Sequence, residues 1–298
     1  MAIQFSICVC TYRRPGVIDT VRSLFAQQGV ALTEMEIIVS DDDPDLSARA
    51  SIRSIAESAP VALRYVESAA QNISSARNLC LKTAKGDWIA FIDDDQIAEP
   101  YWLREMISTA AKFKADAVKC YVRAIYPPDT PSWIRAGDAF TSDYGPTGTT
   151  LDLIATCGVL FRRGLPGARE LLFDVALGIM GGEDTDFFLR YSALGGKIVS
   201  CRNSVANELL PTERVTSIYL KRRCRRHGHV HGRIRFAKKT PFGRSLSIVK
   251  SVLAVAVTSP YAAVRIVNKA MGCRMFIKFW YHFGVVEWAL ARDALHHE

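Results

Sequence analysis

The chain has 298 residues, enough to bury a sizeable core, and its 49% hydrophobic content with ample aromatics excludes a disordered or low-complexity protein. The net charge of +8 is unevenly spread: positions 214–286 hold sixteen Lys and Arg and no Asp or Glu, while the preceding part is acidic. That asymmetry predicts an anionic partner for the C-terminal third. The eight cysteines form no C-x-x-C pair, which argues against a zinc site or disulfide frame and for reduced, buried thiols of a cytosolic protein. No signal peptide is expected, because 4–9 read as a strand without a basic leader. No uninterrupted apolar run reaches the ~18 residues of a membrane span.

Positions 5–10 predict a first strand, 11–16 a loop and 17–28 a helix. A second buried strand at 36–39 runs into Asp41, Asp42 and Asp43. A helix at 46–59, a strand at 63–66, a helix at 74–84 and a strand at 88–92 follow. The last of these runs into Asp93, Asp94 and Asp95. Strands alternating with helices of this length indicate a parallel sheet in an α/β fold. Neither a G-x-G-x-x-G nor a P-loop motif follows the first strand. A helix at 101–114 and a strand at 117–124 come next. The Pro- and Gly-rich segment 126–149 predicts a functional loop. Strands at 157–162 and 197–201 flank a second acidic cluster at 183–186.

Each acidic cluster at 41–43 and 93–95 lies just past a strand, at the sheet edge where open α/β folds bind ligands. Three adjacent carboxylates repel one another unless a cation or donors neutralise them. On strand alternation Asp93 and Asp95 share a side, suited to one hard cation such as Mg²⁺ or Mn²⁺, and Asp94 points away.

The motifs "CTYRRP", "NISSARN", "FIDDDQ", "GGEDTDFF" and "KRRCRRHGHVHGR", in this order, resemble the family 2 glycosyltransferases, most closely the bacterial exopolysaccharide branch with the succinoglycan glucosyltransferases. The resemblance spans roughly 4–235. It implies a GT-A fold, mainly a parallel sheet flanked by helices, followed by a basic C-terminal helical region. It divides the chain into a catalytic domain, 1–240, and an amphipathic region, 241–298.

The resemblance also implies roles. Asp41 reads the nucleotide base, with Thr11 and Arg13 nearby, and Arg77 faces the nucleotide. Asp93 and Asp95 hold Mg²⁺ or Mn²⁺ at the diphosphate, with Asp93 shared with the ribose. Arg222 and Arg223 lead the candidates for phosphate contact, ahead of Arg225 and Arg226. Asp184 is the general base, and Glu183 and Asp186 orient the acceptor or support the loop. The implied reaction inverts the anomeric centre and moves a hexose, glucose from UDP-glucose, onto a polyprenyl-diphosphate-linked saccharide. A metal-dependent nucleotidyltransferase and a non-catalytic membrane- or nucleic-acid-binding protein are the alternatives.

Two departures from the family pattern stand out. Asn207 occupies the place where relatives often carry a metal-side His, so the third metal contact is missing, is Asn207 itself, or comes from His227, His229 or His231. Gly158 stands where many relatives have Asn. Beyond 240, aliphatic and aromatic residues interleave with Lys and Arg, which predicts interfacial helices on an anionic membrane and disfavours nucleic acid. The expected location is therefore peripheral, on the cytoplasmic face of the cell membrane.

Overall fold

The computed structural model describes residues 3–236 and 239–295. Contacts divide it into two compact units, Met1–Arg123 with Ser142–Leu209, and Ala124–Thr141 with Leu210–Glu298. The break falls ahead of position 240, and the second unit also takes the loop segment 124–141.

The first unit begins with β1 (Phe5–Thr11), α1 (Val17–Phe25), β2 (Met35–Asp41), α2 (Arg49–Ala56), β3 (Ala62–Glu67), α3 (Ile73–Thr83) and β4 (Trp88–Phe91). It continues with β5 (Gln96–Ala98), α4 (Trp102–Phe113) and β6 (Ala117–Ile125), whose last two residues enter the second unit. The second unit also holds α5 (Ser132–Gly137). The first unit resumes with β7 (Val159–Arg162), α6 (Glu183–Ala193) and β8 (Ile198–Leu209).

The eight strands form one sheet in the order β3-β2-β1-β4-β7-β6-β8-β5. The first four pair in parallel, as the βαβ alternation predicted. The other half departs from a mainly parallel sheet, since β4–β7, β6–β7 and β5–β8 pair antiparallel. All seven residues of β2 are buried, so both of its faces are covered. Alternation along β1 sends Ile7 and Val9 into one core, with Val39, Trp102 and Leu160, and Cys8 into the other. That second core is aromatic: Phe173 stacks on Phe187 with centroids 4.2 Å apart, and Phe161 meets Phe187, Phe188 and Tyr191 edge-on.

Strand β8 runs well past the expected 197–201. Its extension carries Arg202, Asn203, Asn207 and Glu208, which hide the apolar pattern from sequence. Three-residue β5 was not expected at all.

The second unit is helical, with α7 (Ser217–His231), α8 (Pro241–Thr258), α9 (Tyr261–Val267) and α10 (Lys269–Leu295). Ile134, Phe140, Leu220, Cys224, Cys273 and Phe276 form its core. Helices α7 and α10 approach closely through glycine. A Cβ on Gly228 would lie 2.1 Å from the Tyr281 carbonyl oxygen, and one on Gly284 would lie 2.2 Å from that of Arg225. Among the described residues α8 alone is long and apolar enough, by length and composition, to cross a membrane; it does so as a window containing Arg244 and Lys250, not as an unbroken run.

Candidate active site

The C-terminal ends of the parallel strands bring the first two motifs together. Thr11 of β1 lies beside Asp41 of β2 in register. Thr11 Oγ1 donates to Asp94 Oδ2 at 2.8 Å. Arg14 spans two carboxylates: Nε meets Asp94 Oδ1 at 3.0 Å and Nη1 donates to Asp95 Oδ2 at 2.7 Å. A cavity of about 430 Å³ opens here, lined by Thr11, Tyr12, Arg14, Asp42, Gln71 and Asp94, among others.

Asp94 therefore lines the cavity. The physical reason is that β4 ends at Phe91. Residues Asp93–Asp95 form a turn, closed by Gln96 N donating to Asp93 O at 3.1 Å, and alternation does not apply in a turn.

The 41–43 cluster is also sorted by the fold. Asp41 is fully buried, and both its oxygens are taken: Oδ1 accepts from Asp43 N at 3.0 Å, and Oδ2 from Ala48 N at 3.0 Å and Tyr65 Oη at 2.8 Å. Asp42, one residue on, lines the cavity, and its Oδ1 accepts from Ser68 Oγ and Ala70 N. Asp42, and not Asp41, is thus the member of this cluster that lines the cavity. Arg13 turns to the same acidic loop, with Nε donating to Asp43 at 3.0 Å and Nη2 to Asp45 at 2.7 Å.

Arg77 pairs with Glu183 of the acidic cluster at 183–186. Its Nη1 donates to Glu183 Oε1 at 2.5 Å, both side chains are about nine-tenths buried, and its guanidinium lies 5.4 Å from the Phe173 ring centroid. Burial works against the Arg77 charge, but Glu183, Asp184 and Asp93 outweigh it and raise its pKa. Helix α3 anchors the rest of that loop. Asn72 Nδ2 donates to Val175 O, Ser74 Oγ to Asp174 O, and Asn78 exchanges two hydrogen bonds with the Phe173 backbone. Gly181 and Gly182, with φ of 83° and 95°, then turn the chain into α6 in a conformation that a side chain would strain. Glu183, Asp184 and Asp186 open that helix, where its dipole favours carboxylates. Asp186 is held by Arg190 Nε at 2.7 Å, one turn along. Asp184 Oδ1 accepts from Thr185 N at 2.6 Å.

The turn and the α6 terminus share one electrostatic field. The Asp93 carboxyl is pushed up to about 6, first by burial, then by the Asp95 charge, with Asp184 adding to it and Arg77 and Lys119 opposing. Asp94 also rises to about 6, again mainly through burial, despite Arg14 and Thr11. Lys119 was not expected from sequence. It is fully buried on β6, its Nζ donates to Cys157 Sγ and Gly158 O at 3.4 Å each, and its ammonium lies 5.6 Å from the Tyr144 ring centroid. Among the described residues no carboxylate lies within ion-pair distance of it. A lone Lys in an apolar strand gives no sequence signal for such a role.

The remaining predicted residues are occupied elsewhere. Asn207 Oδ1 accepts from Arg123 Nη1 at 3.3 Å. In the second unit Arg222 is exposed, Arg223 sits 5.0 Å from the Phe140 ring centroid, and Arg225 and His229 pair with Glu287. His231 packs edge-on against Phe236 and Tyr281. Among the described residues no group of three or more His, Cys, Asp or Glu could hold a metal ion. A two-carboxylate set at Asp93 and Asp95 still suits a hard cation that keeps waters and takes phosphate oxygens for its other positions. The strain on Asp93 from burial and from Asp95 is the imbalance such a cation relieves.

The model of glycosyl transferase family 2 matches residues 6–165. The succinoglycan biosynthesis protein ExoM of Rhizobium meliloti (strain 1021) is 37% identical over 232 residues, 78% of this chain and 75% of that protein. A validoxylamine A glucosyltransferase of Streptomyces hygroscopicus subsp. jinggangensis (strain 5008) is 27% identical over 106 residues, 36% of this chain and 25% of that one. Among solved structures, S. aureus TarS 1–349 in complex with UDP-GlcNAc superposes with a TM-score of 0.55 at 14% identity, covering 97% of this chain and 92% of that one. The same fragment in complex with UDP gives 0.54. At that identity the likeness speaks for the shared GT-A fold alone. Taken with the family match and the relative that covers most of the chain, the chain belongs to glycosyl transferase family 2 and is a glycosyltransferase.

Proposed function

We propose that this enzyme is an inverting transferase that moves a hexose, glucose from UDP-glucose, onto a polyprenyl-diphosphate-linked saccharide in exopolysaccharide assembly, at the cytoplasmic, anionic face of the cell membrane. The observation that carries the chemistry is the shared field of Asp93, Asp95 and Asp184 at one sheet edge, with the Arg77–Glu183 pair fixing the acceptor side. The similarity to ExoM supports the pathway, and the ring of donors and acceptors around the cavity supports a nucleotide diphosphate.

In this reading Tyr12 offers the base an aromatic face and Asp42 accepts its imino N–H. Thr11 and Arg14 hold the Asp94–Asp95 turn in place. Asp93 and Asp95 would hold Mg²⁺ or Mn²⁺, with Asp93 shared with the ribose. When bound, the cation supplies Lewis-acid stabilisation of charge on the departing diphosphate. Asp184 accepts the proton of the acceptor hydroxyl as that oxygen bonds to the anomeric carbon. The sugar–phosphate bond breaks on the opposite face, so one displacement inverts the centre. Glu183, tied to Arg77, and Asp186, tied to Arg190, keep the α6 terminus rigid while this happens.

The test is release of nucleoside diphosphate across a panel of nucleotide sugars with a lipid-linked acceptor, with Mn²⁺ and with EDTA. Acceptor-dependent release from UDP-glucose that EDTA abolishes is the expected result. A different preferred donor changes the named sugar, and EDTA-resistant turnover removes the cation from the reading.

A further inference from the structure

Helix α8 leaves a stripe of large apolar side chains exposed. The row facing its own unit contains Ser247, Ser251, Ala254 and Thr258 with half-buried Ile248 and Val255 beside them, and the two residues buried most deeply are Ser251 and Thr258, at 3% and 7% exposure. Their hydroxyls are satisfied along the helix: Ser247 Oγ donates to Gly243 O at 2.8 Å, Ser251 Oγ to Ser247 O at 3.1 Å, and Thr258 Oγ1 to Ala254 O at 2.6 Å. His282 Nδ1 of α10 lies 3.3 Å from Ser251 Oγ, so this face is the one against α10. The opposite row is Phe242, Leu246, Val249, Leu253 and Val257. Their spacing keeps them on one stripe. All five are exposed, from 45% for Leu246 to 80% for Phe242.

A surface helix in water places its aliphatics inward and its hydroxyls outward, because apolar burial drives packing. Here five large apolar side chains stay outside, and the deepest positions of the inward face are hydroxyls. Small residues at the helix contact and large aliphatics outside are the arrangement of helices surrounded by lipid, where close packing, not water exclusion, holds helices together. Charge names the lipid. Lys250 is exposed on the same helix, and no acid occurs from 214 to 286. In α9, Ile266 and Val267 continue the apolar surface at 86% and 91% exposure. The 18 residues of α8 rise about 27 Å, and exposed Lys250 sits at mid-length, which suits a helix lying in the plane better than one crossing it.

We propose that α8 is an in-plane anchor: its Phe242, Leu246, Val249, Leu253 and Val257 stripe enters the acyl boundary of an anionic bilayer while Lys250 meets the headgroup phosphates. This deepens the membrane part of the proposed function and rests on that part alone, not on the transfer chemistry.

The experiment is flotation of the full chain with vesicles of phosphatidylglycerol and phosphatidylcholine, against phosphatidylcholine alone, in dilute buffer and in about 1 M salt, where charge is screened. The variant L246S/V249S/L253S changes only exposed positions, and its thermal melt and nucleoside diphosphate release control for folding. Wild type should float with anionic vesicles and stay bound in salt, while the variant loses about tenfold or more of its bound fraction. Lys250→Gln should lower binding in dilute buffer only. Equal flotation of variant and wild type overturns the stripe's role, as does binding that salt abolishes. Failure of wild type to float overturns the anchor. If lipid-free wild type sediments as a dimer, the variant as a monomer and neither floats, the stripe covers a second copy instead. Diphosphate release without flotation removes this inference and leaves the chemistry, whereas flotation without release does the reverse.

Discussion

The two units use polar groups in opposite ways. In the first, apolar side chains fill both faces of the sheet and polar groups gather at one edge, where almost every one has a partner: Thr11 with Asp94, Arg14 with Asp94 and Asp95, Arg77 with Glu183. In the second, α8 turns hydroxyls inward and aliphatics outward, and the surrounding sequence is basic without acids. The first pattern is that of a site preorganised for a charged ligand in water. The second fits the lipid contact proposed for α8. On the proposed membrane reading the chain meets two solvent environments, and its halves should respond to different perturbations.

The largest effect should come from the chemistry of the first unit. Asp184→Asn keeps the α6 terminus but removes the proton acceptor, so acceptor-dependent turnover should fall about 10²–10⁴-fold with UDP affinity by calorimetry unchanged. Retained turnover would strip Asp184 of the base role and leave it a helix-terminal carboxylate.

The next effect is on stability. Arg77→Met leaves Glu183 buried without its partner and should cost about 3–5 kcal/mol in denaturant unfolding. The double variant R77M/E183L should recover much of that loss while turnover stays low. If the double variant regains full activity, the pair is scaffolding without a part in orienting the acceptor.

The acidic turn separates two neighbours. Asp42→Asn should raise the donor KM about 10-fold, the worth of a hydrogen bond to a charged group. Asp41→Asn should lower the melting temperature instead, because it disturbs the acceptor of Ala48 N and Tyr65 Oη. The reverse split would return the base-reading role to Asp41.

A smaller effect follows pH. Asp93 and Asp94, both raised to about 6 from 3.8, keep protons in the folded state that the unfolded chain has released. Their contribution to the stability of the metal-free protein should fall as pH rises from about 4 to about 6. Cation binding needs the ionised forms, so the rise in melting temperature on adding Mn²⁺ should be small at pH 5 and grow towards pH 7. A pH-independent Mn²⁺ shift would place the cation elsewhere. The smallest effect belongs to the second unit: Ser251→Ala should change stability by no more than about 0.5 kcal/mol, since that hydroxyl's donor bond stays within its own helix. A large loss would make the hydroxyl row, and His282 with it, a packing network in its own right.

Much of the architecture was legible because its signals are local. Apolar runs ending in carboxylates marked β2 and β4, and alternation with helices marked the parallel half. The antiparallel half was less legible, because the extension of β8 is half solvent-facing and β5 is three residues long. Within the site, sequence named the right turns but not the right neighbours. Asp42 and Asp94 line the cavity, and which member of an acidic run points outward depends on where the strand stops. Lys119 was silent, because a lysine declares itself buried only when other strands close over it.

The sequence by itself determined the family, the α/β order, the position of each acidic turn and the basic, acid-free C-terminal third, since motif order, periodicity and charge are properties of the chain alone. Only the tertiary structure decided that Arg77 holds Glu183, that Thr11 and Arg14 clasp the Asp94–Asp95 turn, and that α8 faces its hydroxyls inward. Those depend on long-range contacts and on which helix face finds a neighbour. No residue's spacing encodes them until the chain has folded.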